Sequence, residues 1–130
     1  MTAEGHPFLR RQAYIGGAWT DAGSGKTFAV ANPATGDVLA MVADCGVADA
    51  QRAIDAAGKA QPAWAAKTAK ERGAILRRWY DLMMTHQDEL AALMTAEQGK
   101  PLAEARGEIG YAASFLEWFA EEAEIGRAHV

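Results

Sequence analysis

The period of the apolar residues changes once along this chain, near Gly46. Before that point apolar and polar side chains alternate in short runs; after it, apolar residues recur three and four positions apart. The alternating part reads Gln12-Ala13-Tyr14-Ile15 as a strand and Ala18-Trp19-Thr20 as its return. Gly16-Gly17 between them is a tight-turn signal, because both residues can take positive φ. Thr27-Phe28-Ala29-Val30 and Val38-Leu39-Ala40-Met41-Val42-Ala43 are further strands, the second apolar enough to be covered on both faces. Asn32 to Asp37 form the turn between them, with Pro33 fixing φ and Gly36 free to enter the left-handed region.

The second part predicts about four helices. The first spans about Val47–Ala60, with a narrow apolar face of Val47, Ala50, Ile54 and Ala57, and ends before Pro62. The second opens on Thr68 and Glu71, spaced as a capping box. Its stripe is Ile75, Trp79, Leu82 and Met83, and Lys70, Arg72, Arg77 and Arg78 point to solvent. The third runs from about Gln87 to Gln98 with Leu90, Leu93 and Met94 inward; Gly99 takes the position just past its end and Pro101 opens the next helix. The fourth runs from about Leu102 past Phe119 along Ala105, Ile109, Ala112, Leu116 and Phe119. Phe115 and Trp118 lie off that line, so its apolar arc is wide. In a stand-alone bundle Tyr111, Phe115 and Trp118 would stay partly exposed, which marks a missing partner surface.

Composition narrows the function classes. Half of the 130 residues are apolar, which suits one globular unit. A net charge of -4 argues against nucleic acid as the main partner. No stretch approaches the ~20 apolar residues of a membrane helix, and Met1 to Gln12 lacks the apolar run of a secretory signal. With one cysteine there is no intrachain disulfide framework. The expectation is a cytoplasmic protein with no nucleic-acid and no membrane partner.

Candidate chemistry is sparse. Gly23-Ser24-Gly25-Lys26-Thr27 resembles the end of a phosphate-binding loop, but Thr20 stands where its first glycine belongs and a strand follows where a helix is needed. It reads as an exposed hairpin loop. Cys45 has no base or cation beside it and reads as a buried structural thiol. His6, His86 and His129 lack a second ligand at helical spacing, so no metal site is expected; His86 suits the C-terminal end of the second helix. Glu104, Glu108, Glu117, Glu121 and Glu122 read as a solvated face. The residues alone point to no catalytic and no cofactor-binding group.

Several blocks, taken together and in order, carry a family resemblance. They are Tyr14-Ile15-Gly16-Gly17-Ala18-Trp19, Asn32-Pro33-Ala34-Thr35-Gly36, Pro62-Ala63-Trp64, Thr68-Ala69-Lys70-Glu71-Arg72, Glu97 through Ala105, and Gly107-Glu108-Ile109. In register over about residues 10–123 they resemble the N-terminal region of aldehyde dehydrogenases. Tyr111 through Glu122 is similar to the succinate-semialdehyde dehydrogenase branch. The resemblance implies an α/β fold, the N-terminal part of the aldehyde dehydrogenase fold: an incomplete Rossmann-like, cofactor-binding domain over residues 1–123, with strands and turns over 1–46 and helices over 47–123.

It also implies an NAD(P)-dependent oxidoreductase that turns succinate semialdehyde, or a related semialdehyde, into the acid. In the family a cysteine adds to the aldehyde as a thiohemiacetal, hydride passes to the nicotinamide, and a glutamate activates water. Those groups lie beyond the equivalent of residue 130, so the 130-residue chain is expected to bind no NADP or NAD and to be inactive alone, and Cys45 is not the catalytic cysteine. The parent is expected to be a dimer or tetramer. By the same resemblance Gly107 and Tyr111 edge the substrate tunnel, with Phe115 near it.

Glu124-Ile125-Gly126-Arg127-Ala128-His129-Val130 departs from the family pattern. It resembles the conceptual translation of a sequencing-library adapter and is expected to be a non-native tail. From a different class, the chain also fits a free-standing helical interaction module that uses the wide face of its fourth helix.

Overall fold

A computed structural model describes residues 6–125. Expectations for Met1–Gly5, for His129 and for the tail from Gly126 fall outside them. Strands β1 (Ala13–Ile15), β2 (Ala18–Thr20), β3 (Thr27–Ala31) and β4 (Val38–Ala43) come first, then helices α1 (Val47–Ala65), α2 (Ala69–Thr85), α3 (Gln87–Gln98) and α4 (Leu102–Ile125). The change of period at Gly46 is therefore the change from strand to helix. The chain forms two compact units. One takes in the chain up to Pro62 with Ala96–Gly99; the other takes in Ala63–Thr95 and the chain from Lys100.

In the first unit β1 and β2 are an antiparallel hairpin that pairs Tyr14 with Trp19. Gly16 and Gly17 sit at φ 62° and 86°, a turn that only residues tolerant of positive φ can close. The rings of Tyr14 and Trp19 meet at 5.0 Å, and the Arg10 guanidinium lies over Trp19. β3 and β4 form a second antiparallel ribbon with an irregularity at Val30/Ala31. The loop around Gly23-Ser24-Gly25-Lys26 thus joins two ribbons and is not the tip of one hairpin. The turn after β3 closes as expected: Gly36 has φ 79° and donates to the Asn32 carbonyl, and Asn32 Oδ1 accepts from Ala34. β4 is covered on both faces only at Leu39 and Ala40, adjacent residues that point to opposite sides. Val38 and Met41 are exposed.

Helix α1 corrects two expectations. It continues through Pro62 to Ala65. A proline ring crowds the carbonyl four residues back, but Pro62 stands in the last turn, where little helix remains to be disrupted. Its apolar stripe is also not the covered face: Val47 is 89% and Ile54 64% exposed. Asp49, Ala53 and Ala56 turn inward instead. The hairpin turn selects that side, since a Cβ at Gly16 would lie 3.8 Å from that of Ala56.

In the second unit α2 opens with the full capping box: Thr68 Oγ1 accepts from the Glu71 N–H and Glu71 Oε2 accepts from the Thr68 N–H. Rising numbers on α2 meet falling numbers on α4, from Gly73 beside Ala120 to Arg77 bonded to Glu117, and Gln87 at the start of α3 then donates to the Arg106 carbonyl, so α2 and α4 are antiparallel. Their seam is made of small residues. Gly73 of α2 and Ala113 and Ala120 of α4 are buried, as are Ala91 of α3 and Ala105, and Ile109 is the one large side chain of α4 buried among the described residues. Met83, Leu90 and Met94 pack on the cluster of Ala91, Ala105 and Ile109. Gly99 takes φ 76° just past α3, and α4 starts after Pro101, whose carbonyl accepts from Ala105.

The seam corrects the expected stripes. On α2 the inward residues are Gly73, Leu76, Arg77, Tyr80 and Met83, while Ile75, Trp79 and Leu82 are about half exposed. On α4 Ala113 and Ala120 replace Ala112 and Phe119. Helices that approach through glycine and alanine turn their bulkiest residues away. Arg77, expected in solvent, spans the seam and donates to Glu117 and Glu121 at 2.9 and 2.8 Å.

Candidate functional site

The wide arc of α4 is the feature that most resembles a binding surface. Once its alanines are committed to α2, Tyr111 (68%), Phe115 (47%) and Trp118 (60%) face outward as the arc predicted, and Phe119 (59%), expected inward, joins them. Tyr111 meets Phe115 edge to face at 4.9 Å, and the Ser114 hydroxyl donates to the Tyr111 carbonyl at 2.7 Å. These residues line a shallow recess with Glu117 and Glu121 on its rim. Arg77 holds both carboxylates, and the two hydrogen bonds, that to Glu121 first, raise the guanidinium's pKa further. The rim charges are therefore already paired, and what the recess offers is apolar area. Gly107, one turn before Tyr111, is exposed with nothing within 4 Å of a Cβ built on it.

No reactive pair stands on this surface. Cys45, expected to be buried, is exposed in the turn before α1. The turn is short, and Asp49 rather than the thiol occupies the covered position there. His86 caps the end of α2, with Nδ1 3.6 Å from Glu89 Oε1. Among the described residues no group of three or more His, Cys, Asp and Glu could hold a metal ion.

The sequence reading missed Asp49. The residue is 4% exposed, and its carboxylate accepts from the Gly46 N–H, the Gly23 N–H and Arg52 at 3.0, 3.0 and 2.7 Å. The Gly46 bond, then Arg52 and Gly23, hold its pKa below the usual carboxylate value. An acidic residue in the first turn of α1, three after Gly46, was the available signal. Its bond to Gly23 joins residues 26 apart, which spacing does not reveal.

The same bond bears on phosphate binding. Gly23 donates to Asp49, Gly25 to the Ala22 carbonyl and Lys26 to Ser24 Oγ. Three amides that a phosphate would need are occupied, a buried carboxylate sits behind them, and a strand follows the loop. Both ribbons are antiparallel, so the described residues also lack a parallel βαβ crossover.

Comparison with known proteins places this scaffold. The sequence profile of the aldehyde dehydrogenase family matches residues 19–128, and the chain belongs to that family. It is 65% identical over 115 residues to glutarate-semialdehyde dehydrogenase of Pseudomonas putida, covering 88% of this chain and 24% of that protein. It is 62% identical over 114 residues to the NADP(+) succinate-semialdehyde dehydrogenase of Escherichia coli, with the same coverage. The crystal structure of succinate-semialdehyde dehydrogenase from Burkholderia pseudomallei superposes with a TM-score of 0.85 at 61% identity, over 88% of this chain and 24% of that one. The chain thus spans about a quarter of the length of the relatives it matches. The α/β reading, an N-terminal portion of the aldehyde dehydrogenase fold, holds. Among the described residues no helix is long and apolar enough to cross a membrane.

Proposed function

We propose that this chain is scaffold from an NAD(P)-dependent aldehyde dehydrogenase that oxidises succinate semialdehyde, or a related semialdehyde, to the carboxylic acid through a cysteine thiohemiacetal. On this reading residues 1–123 are part of the cofactor-binding domain and residues 124–130 are a non-native tail. The parent is a cytoplasmic dimer or tetramer that uses NADP or NAD. The chain itself binds neither and is inactive alone. The identity to two semialdehyde dehydrogenases, over a quarter of each, carries the reading. Gly107 and Tyr111 edge the substrate tunnel of the parent, which accords with their exposure on one face of α4.

The 130-residue chain is tested with succinate semialdehyde and NADP or NAD, following absorbance of the reduced nicotinamide. No turnover is expected, and measurable turnover would overturn the inactivity. The coding sequence extended to the length of its relatives is expected to reduce NADP or NAD with succinate or glutarate semialdehyde; failure with both refutes the substrate class. In that enzyme Tyr111→Ala is expected to raise KM for the aldehyde more than it lowers kcat, and unchanged KM would remove Tyr111 from the tunnel. The exposed aromatic face of α4 also supports a second reading, a free-standing helical interaction module. A monodisperse, cooperatively melting chain favours the module; a marginal, self-associating one favours the scaffold.

A further inference from the structure

We draw no further inference here: the strongest candidate, the exposed aromatic face of α4 with the recess along Tyr111, Phe115 and Trp118, restates the family's own substrate approach when read as a site, and as a docking surface nothing in the structure shows what covers it.

Discussion

Replacing Gly73 by alanine sets two effects of opposite sign against each other. Within a helix, glycine to alanine stabilises by about 1 kcal/mol, because glycine loses more backbone freedom on folding. At Gly73 the new Cβ would lie 3.0 Å from the Ala120 carbonyl oxygen and 3.7 Å from the Ala123 Cβ. The first contact is with backbone, so no side-chain rotation relieves it. Helix α4 must move instead, against the grip of Arg77 on Glu117 and Glu121. Overpacking of this kind costs about 1–3 kcal/mol, so Gly73→Ala is expected to lose about 1 kcal/mol net. Gly107→Ala and Gly58→Ala are the controls, since a Cβ at either meets nothing within 4 Å. Each should gain about 1 kcal/mol, which separates them from Gly73→Ala by about 2 kcal/mol. Urea unfolding of the 130-residue chain, followed by circular dichroism, measures the difference. A Gly73→Ala chain as stable as the Gly107→Ala chain would refute the close approach of α2 and α4.

Three further outcomes are expected. Ile109→Ala empties the largest buried position of the α3–α4 cluster and should lose about 2–5 kcal/mol, read as loss of helical circular dichroism at a lower temperature or urea concentration; a shift no larger than that of a surface variant would place Ile109 outside the core. Asp49 has a folded-state pKa below its unfolded one, so its contribution is complete above the ordinary carboxylate value, about 3.9, and fades as pH falls through the lowered folded value. The gap in melting temperature between the native chain and Asp49→Asn should therefore narrow on acidification, and a gap that does not change with pH would show that the carboxylate's charge is not what holds Gly23. Trp118→Ser should change stability by less than about 0.5 kcal/mol while lowering self-association in size-exclusion chromatography; a large loss of stability would mean the ring is packed.

The aromatic face has a physical consequence for the chain as a whole. Fully burying a large apolar side chain is worth about 1.5–3 kcal/mol, and a single methylene about 0.8. Here alanines fill most of the seam, whereas seven large apolar residues of α2 and α4, from Ile75 to Phe119, are about half exposed or more. The area best able to stabilise these helices is the area they leave uncovered, in keeping with a scaffold that spans a quarter of its relatives.

The sequence by itself determined the elements whose causes are local. The Gly16-Gly17 turn, the Asn32–Gly36 turn, the Thr68–Glu71 capping box and the glycine after α3 each depend on residues a few positions apart, and each stands where the spacing placed it. The family was legible for the same reason, because four of its six recurring blocks contain those caps and turns. Only the tertiary structure decided which face of each helix turns inward. Periodicity finds an apolar stripe, but a helix with apolar residues over most of its circumference has several, and the neighbour's shape chooses among them. Gly73 and the alanines of α4 won that choice over Ile75, Trp79 and Phe119 because small residues let backbones approach. The Asp49 bond to Gly23 and the Arg77 clamp likewise join residues distant in sequence, and appear only once the chain is folded.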